Sequence, residues 1–409
     1  MTAAATPLPR PAPAAAPERW DRRSWAILFT LSGNMILDAL EVSVVLAALP
    51  RIGADLGLGL PAVQAVMSGF AAGFAALLLL GPRLNARFGR RRSYLGAMLL
   101  FAAASVVGGL TGSAALVIAT RAVKGACAAL TAPTGLAIIS TTFPEGAQQR
   151  RAVTVYSLFG AAGFTAGLLL SGLLLQASWR WTFLFPAPVA VVLLLAGLRL
   201  IPRDRGRTRP PRLRAALLRD GSLLRAALGA AALNSTYHGL LVLVVFQTQQ
   251  RLGWTPWQTA LGLLPACVPL AVTVPFAGRL VGRFGTARPI ALGALAPVAG
   301  CALYRWHPAG SYAAGMLPAL LLVGIGFVFA FAALNMQATA TVAVPDRPVA
   351  VPLYQAAVQL GAVLVLPPTA LLLDRRGAGA ALSLLLGVAT LGLLVALTAL
   401  RRPAPTPSH

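Results

Sequence analysis

Apolar stretches of about 20 residues, separated by short polar segments, follow one another along nearly the whole chain. A helix of about 20 apolar residues is long enough to cross the hydrocarbon core of a bilayer. The pattern therefore predicts an all-α membrane protein with twelve transmembrane helices. The predicted helices cover residues 24–48, 61–82, 93–112, 115–140, 152–176, 181–201, 223–248, 257–278, 287–304, 311–334, 349–373 and 378–400.

The composition agrees with a membrane protein and points away from an enzyme. Of the 409 residues, 57% are hydrophobic and 11% are charged, whereas soluble globular domains carry about 25% charged residues. The three cysteines lie inside apolar stretches without the spacing of metal ligands, so neither a metal site nor a disulfide framework is expected. The sequence also lacks a Walker-type phosphate-binding loop, and it predicts no enzyme activity and no cofactor.

The distribution of lysine and arginine predicts the topology. With the N-terminus inside, the cytoplasmic segments hold 26 of these residues and the outer loops hold 6. Such an excess marks the cytoplasmic side, so both termini of this multi-pass protein are predicted to face the cytoplasm from the cell membrane. The net charge of +24 is spread over many loops. It therefore indicates contact with lipid headgroups and not a nucleic-acid site.

A repeated motif divides the chain into two similar parts. In "GPRLNARFGRRRSYLGAML" (81–99) and "AGRLVGRFGTARPIALGAL" (277–295) the pattern of Arg83, Leu84, Arg87, Phe88, Gly89 and Arg92 recurs at a constant offset, which predicts two parallel six-helix repeats. The predicted gating loops contain Arg83, Arg87, Gly89, Arg279, Arg283 and Gly285. The predicted order is a tail (1–23), a first half (24–201), a basic linker (202–222), a second half (223–400) and a second tail (401–409).

Two acidic residues, Asp38 and Glu41, lie deep inside the first apolar stretch. They are three residues apart and share a helical face. A charged residue at the centre of a membrane helix costs about 2.5 to 3.5 kcal/mol and usually marks an ion or substrate path. Arg121 and Lys124 lie at a matching depth in the fourth stretch and are the expected partners.

Several motifs resemble the major facilitator superfamily, and in detail the drug:proton antiporters of actinobacteria. "ALEVSVVLAALP" is similar to the first-helix signature of these antiporters, with Glu41 where the family has its acid. "RAVKG" (121–125) resembles their fourth-helix signature, "GFTAGLLLSG" (163–172) their fifth, and "SWRWTFLFPAPV" the start of their sixth helix. The resemblance covers nearly all of the helical length.

The chain departs from these signatures at four positions. Ala86 and Gly282 stand where the loop motif usually has Asp, Leu168 where the fifth-helix motif usually has Pro, and Lys124 where Gln is commoner. These departures bear on the gate between the halves and on the coupling of transport to protons.

The resemblance implies a central cavity lined by helices one, four and seven, and it provides candidate residues for substrate and protons. Asp38, Glu41, Arg121 and Lys124 are the predicted proton-coupling residues; a purely structural cluster joining helices one and four is the alternative. Gly163, Gly167 and Gly172 are predicted packing residues of helix five. The predicted cavity residues are Asn34, Asn234, Tyr237, His238, Asn335, Gln337, Gln355 and Gln359.

These observations predict a secondary transporter that works by alternating access. The favoured function is proton-coupled efflux of a small lipophilic drug, antibiotic or secondary metabolite by a monomer in the lipid bilayer. The alternatives are a proton-coupled importer of a small nutrient and a non-transporting membrane scaffold or sensor.

Overall fold

The structure, a computed structural model, describes residues 20–144, 146–201, 215–307, 311–343 and 346–400. All regular secondary structure in these residues is helical, as predicted. The α-helices are α1 (Arg22–Val44), α2 (Leu49–Leu56), α3 (Leu60–Phe88), α4 (Arg90–Leu110), α5 (Ala114–Thr142), α6 (Ala147–Leu174), α7 (Trp181–Leu184), α8 (Pro186–Leu200), α9 (Gly221–Phe246), α10 (Pro256–Phe284), α11 (Ala287–Trp306), α12 (Leu317–Ala340), α13 (Arg347–Arg376) and α14 (Ala378–Leu400).

Each of the twelve predicted stretches overlaps one or two of these helices. Among the described residues, ten helical segments are long and apolar enough to cross a membrane. Helix α1, which contains both deep acids, and helix α10 are not among the ten. The predicted sixth helix, 181–201, is divided into α7 and α8 before Pro186, whose ring nitrogen has no hydrogen to donate.

Most of the predicted first tail, most of the predicted linker and the whole second tail, residues 1–19, 202–214 and 401–409, lie outside the described residues. The acids at the borders of these segments cap helices. Asp21 accepts a hydrogen bond from the backbone N–H of Ser24 at the start of α1. Asp220 accepts from the N–H groups of Ser222 and Leu223 at the start of α9. Each cap satisfies backbone donors that have no partner inside the helix.

Helices α1 to α8 pack mainly against one another, and so do helices α9 to α14. In the first group α1 lies against α6 and α8, and α5 lies against α3 and α4. In the second group α9 contacts α12, α13 and α14, while α11 contacts α12 and α14. The groups meet where α3 packs on α13 and α6 packs on α10.

Small residues permit the closest of these helix contacts. A Cβ atom at Gly163 would lie 2.6 Å from the carbonyl oxygen of Ile36, so α6 approaches the backbone of α1 directly. Gly167 lies against Leu40 on the same contact, and Gly172 faces Trp257 of α10. The predicted packing glycines therefore lie at contacts of α6 with two helices, one from each group.

The two ends of the bundle differ in how the groups meet. At one end a single apolar core, here called the shared core, contains Val44–Leu49 from the first group and Leu240–Phe246 from the second. The side-chain amide of Gln249 also donates to the carbonyl of Ala47 there, at 3.0 Å. At the other end each group has its own core, around Leu28 in the first and Leu334 in the second. A small core of Leu78, Ala129 and Ala356 also joins α3 and α5 to α13. The groups therefore share a large core at one end and have mainly separate cores at the other.

The two copies of the repeated motif have similar corners. Gly89 ends α3 with a φ of 85°, and Gly285 follows α10 with a φ of 72°. Arg87 and Arg283 lie over the rings of the phenylalanines that follow them, Phe88 and Phe284, each at 5.4 Å. Positive φ is readily adopted by glycine, which explains why the corner needs this residue in both copies.

The structure corrects the expected position of the motif residues within these corners. Arg83 and Arg87 lie on the last turns of α3 and Arg283 on the last turn of α10, so the loops begin only at the glycines. Cationic residues are favourable at a helix C-terminus because they complement its dipole, which extends the helix beyond the apolar stretch. The side chain of Arg279 and the surroundings of Gly282 lie outside what the structure describes; Ala86 is buried.

Candidate functional site

Four charged side chains are buried together between α1 and α5. Asp38 is 6% exposed, Glu41 0%, Arg121 1% and Lys124 0%. Among the described residues these are the only charged side chains that are buried. We call these four residues the charge cluster.

Glu41 forms ion pairs with both cations. Its Oε2 lies 2.6 Å from Nη1 of Arg121, and its Oε1 lies 2.6 Å from Nζ of Lys124. The first contact is a hydrogen bond, whereas the second is an ion pair without hydrogen-bond alignment. Arg121 also donates from Nη2 to the backbone carbonyl of Glu41, at 3.0 Å. We call Glu41, Arg121 and Lys124 the ion triad.

The surroundings of the cations are aromatic. The guanidinium of Arg121 lies 4.7 Å from the ring centre of Phe70 on α3, and its Nε donates to the carbonyl of Val66. Nζ of Lys124 lies 4.9 Å from the ring of Phe101 on α4. Aromatic faces attract cations and lower the cost of burying them. None of these rings was identified from the sequence.

Asp38 lies one turn from Glu41 on α1 but contacts neither cation within 4.0 Å. Its Oδ2 accepts hydrogen bonds from the amide of Asn34 at 2.9 Å and from the hydroxyl of Thr131 at 3.0 Å. Its Oδ1 is buried and has no hydrogen-bond partner among the described residues. The two predicted acids therefore occupy different environments, and Asn34, predicted to face the substrate, instead contacts Asp38.

Helices α3 and α5 pack closely beside the two cations. Gly73 of α3 and Gly125 of α5 each lie against the backbone of the opposite helix, where a Cβ atom at either position would overlap Ala122 or Phe70. Gly125 directly follows Lys124, so α5 approaches α3 beside the ion triad. The motif "RAVKG" includes Gly125, but the sequence alone does not show which part of α3 this glycine contacts.

The predicted residues on α9 lie in a different, uncharged region. The amide of Asn234 donates to the carbonyl of Val358 on α13 at 3.2 Å. Nδ1 of His238 lies 2.9 Å from the carbonyl oxygen of Asn234, while its Nε2 is buried without a partner among the described residues. The hydroxyl of Tyr237 donates to the carbonyl of Ala266 at 3.4 Å. These polar groups are therefore engaged largely by backbone.

Five rings form a continuous series beside these residues. Tyr237 contacts Phe327 of α12 with ring centres 5.0 Å apart, and Phe327 stacks on Phe331 at 4.6 Å. Phe164 of α6 lies 6.0 Å from Tyr237 and 6.4 Å from His238. We call Phe164, Tyr237, His238, Phe327 and Phe331 the aromatic series. It joins helices of both groups, and Phe164 was not identified from the sequence.

The other predicted cavity residues are not brought together with the charge cluster. Asn335 is exposed and its amide donates to the carbonyl of Phe331 on its own helix, at 2.9 Å. The backbone carbonyl of Gln337 accepts a hydrogen bond from the hydroxyl of Ser222 at 3.0 Å. Gln355 and Gln359 are half-buried on α13. Polar residues of this kind also stabilise contacts between membrane helices.

A multi-pass helical protein with buried charges between its first and fourth long helices has the features of a secondary transporter. The model of the Major Facilitator Superfamily matches residues 31–364. The chain belongs to this superfamily, as the motifs predicted, and it is a membrane transporter and not an enzyme.

Similar proteins include several from actinobacteria. The puromycin resistance protein pur8 of Streptomyces alboniger is 31% identical over an alignment that covers 85% of this chain and 80% of pur8. The probable actinorhodin transporter of Streptomyces coelicolor is 31% identical, with 79% of this chain and 54% of that protein covered. The cephamycin export protein CmcT of Amycolatopsis lactamdurans is 34% identical, with 59% and 44% covered. The chain thus spans most of pur8 and about half of the other two.

The fold is also similar to a solved structure. The xylose transporter XylE from E. coli, in a partially occluded inward open conformation, superposes with a TM-score of 0.74. The match covers 95% of this chain and 100% of the XylE chain at 15% sequence identity. At this identity the similarity concerns the fold alone.

Proposed function

We propose that the protein exports a small lipophilic compound, such as a drug, an antibiotic or a secondary metabolite, in exchange for protons. The observation that carries this proposal is the charge cluster, buried between α1 and α5 of a Major Facilitator Superfamily fold. The names of similar proteins, which include a puromycin resistance protein and a cephamycin export protein, support export over uptake.

The proposed architecture is twelve transmembrane helices in two six-helix halves, residues 24–201 and 223–400. The basic linker 202–222 and both tails face the cytoplasm in this arrangement, and the protein works as a monomer. The repeated corners at Gly89 and Gly285 and the grouping of helix contacts support the two halves. The excess of cationic residues in the assigned cytoplasmic segments supports the orientation.

The two ends of the bundle support alternating access. With this orientation the shared core lies at the outer end and the separate cores at the cytoplasmic end. The described state is then closed to the outside, and a lipophilic compound enters between the halves from the cytoplasm. Export requires the shared core to separate while the cytoplasmic ends approach each other.

The aromatic series is the proposed contact surface for the compound. Its rings come from α6, α9 and α12 and therefore lie between the two halves. Aromatic rings provide a large apolar contact area, and the buried Nε2 of His238 adds one polar group. Pockets of mainly apolar lining with few polar groups are typical of sites for small molecules.

Accumulation assays in a drug-sensitive bacterial host test export. Cells that express the protein should accumulate less puromycin, and a protonophore should abolish the difference. The Asp38→Asn variant should not lower accumulation, whereas Asp374→Asn, which alters an exposed acid at the end of α13, should act like the wild type. Unchanged accumulation of puromycin and of a panel of lipophilic compounds, together with increased uptake of a nutrient, would contradict export.

A further inference from the structure

The two deep acids differ in whether a proton can be added without breaking a contact. We propose that Asp38 binds and releases the coupled proton, while the ion triad around Glu41 keeps its charges throughout the transport cycle. This inference rests on the proposed proton coupling and assigns it to one carboxyl group.

Glu41 has no oxygen free to accept a proton. Each of its oxygens lies 2.6 Å from a cation, and no part of the side chain is exposed. Protonation would remove the charge that compensates Arg121 and Lys124. Removing one partner of a buried ion pair typically costs about 3 to 5 kcal/mol because the other charge remains buried and unpaired. Here two cations would lose their partner at once.

Asp38 has the opposite geometry. Its Oδ2 accepts from two neutral donors, Asn34 and Thr131. Its Oδ1 has no partner among the described residues, so a proton can bind there while both existing hydrogen bonds remain. Of the two acids, Asp38 is also the one with some remaining exposure, at 6%.

The charge balance favours the same assignment. The ion triad has one more positive than negative charge, and ionised Asp38 makes the charge cluster neutral. Protonation of Asp38 therefore changes the cluster from neutral to a single positive charge, without a change inside the triad. In a medium of low dielectric constant such a change has a large effect on neighbouring charges. This is the change that can alter the contact between α1 and α5.

The titratable groups around Asp38 provide no competing cation. Glu41 on α1, Tyr94 on α4, Cys127 on α5 and Tyr156 on α6 interact with it electrostatically. Phenol and thiol groups are ordinarily uncharged near neutral pH. Asp38 is therefore the single acid in its surroundings that is not already paired with a cation.

Infrared difference spectroscopy of the purified protein in lipid vesicles tests the assignment without any transport substrate. The C=O stretch of protonated carboxyl groups is followed through a pH titration and compared between variants. Asp38→Asn should remove one titrating carboxyl group. The double variant Glu41→Gln, Lys124→Gln, which preserves the net charge of the cluster, should remove none. Lys124→Gln alone frees Oε1 of Glu41 and should add one.

The opposite pattern would overturn the assignment: a carboxyl group lost in the Glu41→Gln, Lys124→Gln variant and retained in Asp38→Asn. Puromycin transport driven by a pH gradient in the same vesicles separates this result from the proposed function. If Asp38 titrates but the pH gradient does not change the rate of transport, the proposed proton coupling is wrong and the assignment of proton binding to Asp38 is retained. If transport follows the gradient and survives Asp38→Asn, the assignment alone fails.

Discussion

Helices α1 to α8 contain every buried charged side chain that the structure describes, whereas the described buried polar residues of α9 to α14 are all neutral. The first region contains the ion triad and Asp38; the second contains Asn234 and most of the aromatic series. A region with buried charge responds to a proton, and a region of rings and neutral groups contacts apolar molecules. Under the proposed function, proton coupling lies in the first group of helices and most of the contact with the substrate in the second.

Loss of a buried charge should have the largest effect on stability. Arg121→Ala leaves Glu41 with one cation and removes three hydrogen bonds, so we expect a loss of about 3 to 5 kcal/mol in the free energy of unfolding. Asn234→Ala removes one neutral hydrogen bond and should cost about 1 kcal/mol. Thermal unfolding in detergent compares the two variants. Equal decreases in unfolding temperature would contradict the distinction between the regions.

Backbone contact beside the ion triad should be the next most sensitive feature. In Gly125→Ala the added methyl group overlaps the backbone of Phe70, and overpacking of this kind costs about 1 to 3 kcal/mol. Gly96→Ala on α4 is the control, because a Cβ atom there has no neighbour within 4 Å. It should leave stability unchanged or raise it slightly, since alanine has the higher helix propensity. If the Gly125→Ala protein is as stable as the Gly96→Ala protein, the contact between α5 and α3 can accommodate a methyl group and the prediction is wrong.

Truncation of a ring should alter affinity and leave the pH dependence unchanged. Phe327 contacts both Tyr237 and Phe331, and an aromatic contact contributes about 0.5 to 1.5 kcal/mol beyond its buried area. Phe327→Ala should therefore raise the KM for puromycin up to roughly tenfold, with an unchanged pH profile of transport in vesicles. The exposed Phe29 of α1 provides the control Phe29→Ala. A shifted pH profile in Phe327→Ala would show that coupling is not confined to the charged region.

The helix caps should show the smallest effects. Asp220→Ala removes the cap of α9 and the contact with the hydroxyl of Thr341, which should cost about 1 kcal/mol. Asp21→Ala should have a weaker effect because Asp21 is exposed and its side chain caps a single backbone N–H, that of Ser24. Hydrogen bonds from the side chain and the backbone of Ser24 lower the pKa of Asp21 from its ordinary value of 3.8. Its contribution is therefore present above that value and is lost as the pH falls through the lowered pKa, which unfolding at acidic pH can detect.

The sequence predicted the charged region better than the uncharged one. Asp38, Glu41, Arg121 and Lys124 stand out because charge is expensive inside an apolar stretch. Thr131 and Phe70 do not stand out, since such residues are common in membrane helices and their contact with the cluster depends on helix rotation. The same limit applies to Phe164, which reaches the aromatic series from the other group of helices.

Helix ends were also difficult to predict. Hydropathy marks where an apolar stretch ends, but α3 continues as far as Phe88 because arginines are compatible with a helix that extends beyond the lipid. The repeated glycines did mark the true corners, since their positive φ is required by the turn. Distances within the charge cluster required the structure, because residue spacing gives depth along a helix and not the pairing between helices.

The shared core has a consequence for the temperature dependence of transport. Its buried side chains are apolar or aromatic, with Val44–Leu49 facing the group that contains Leu240–Phe246. Separation of the two surfaces exposes apolar area to water, a process accompanied by a positive heat-capacity change. Under the proposed mechanism, the rate of opening toward the outside should give a curved Eyring plot and respond little to ionic strength, because the barrier then reflects hydration of apolar surface and not the breaking of ion pairs.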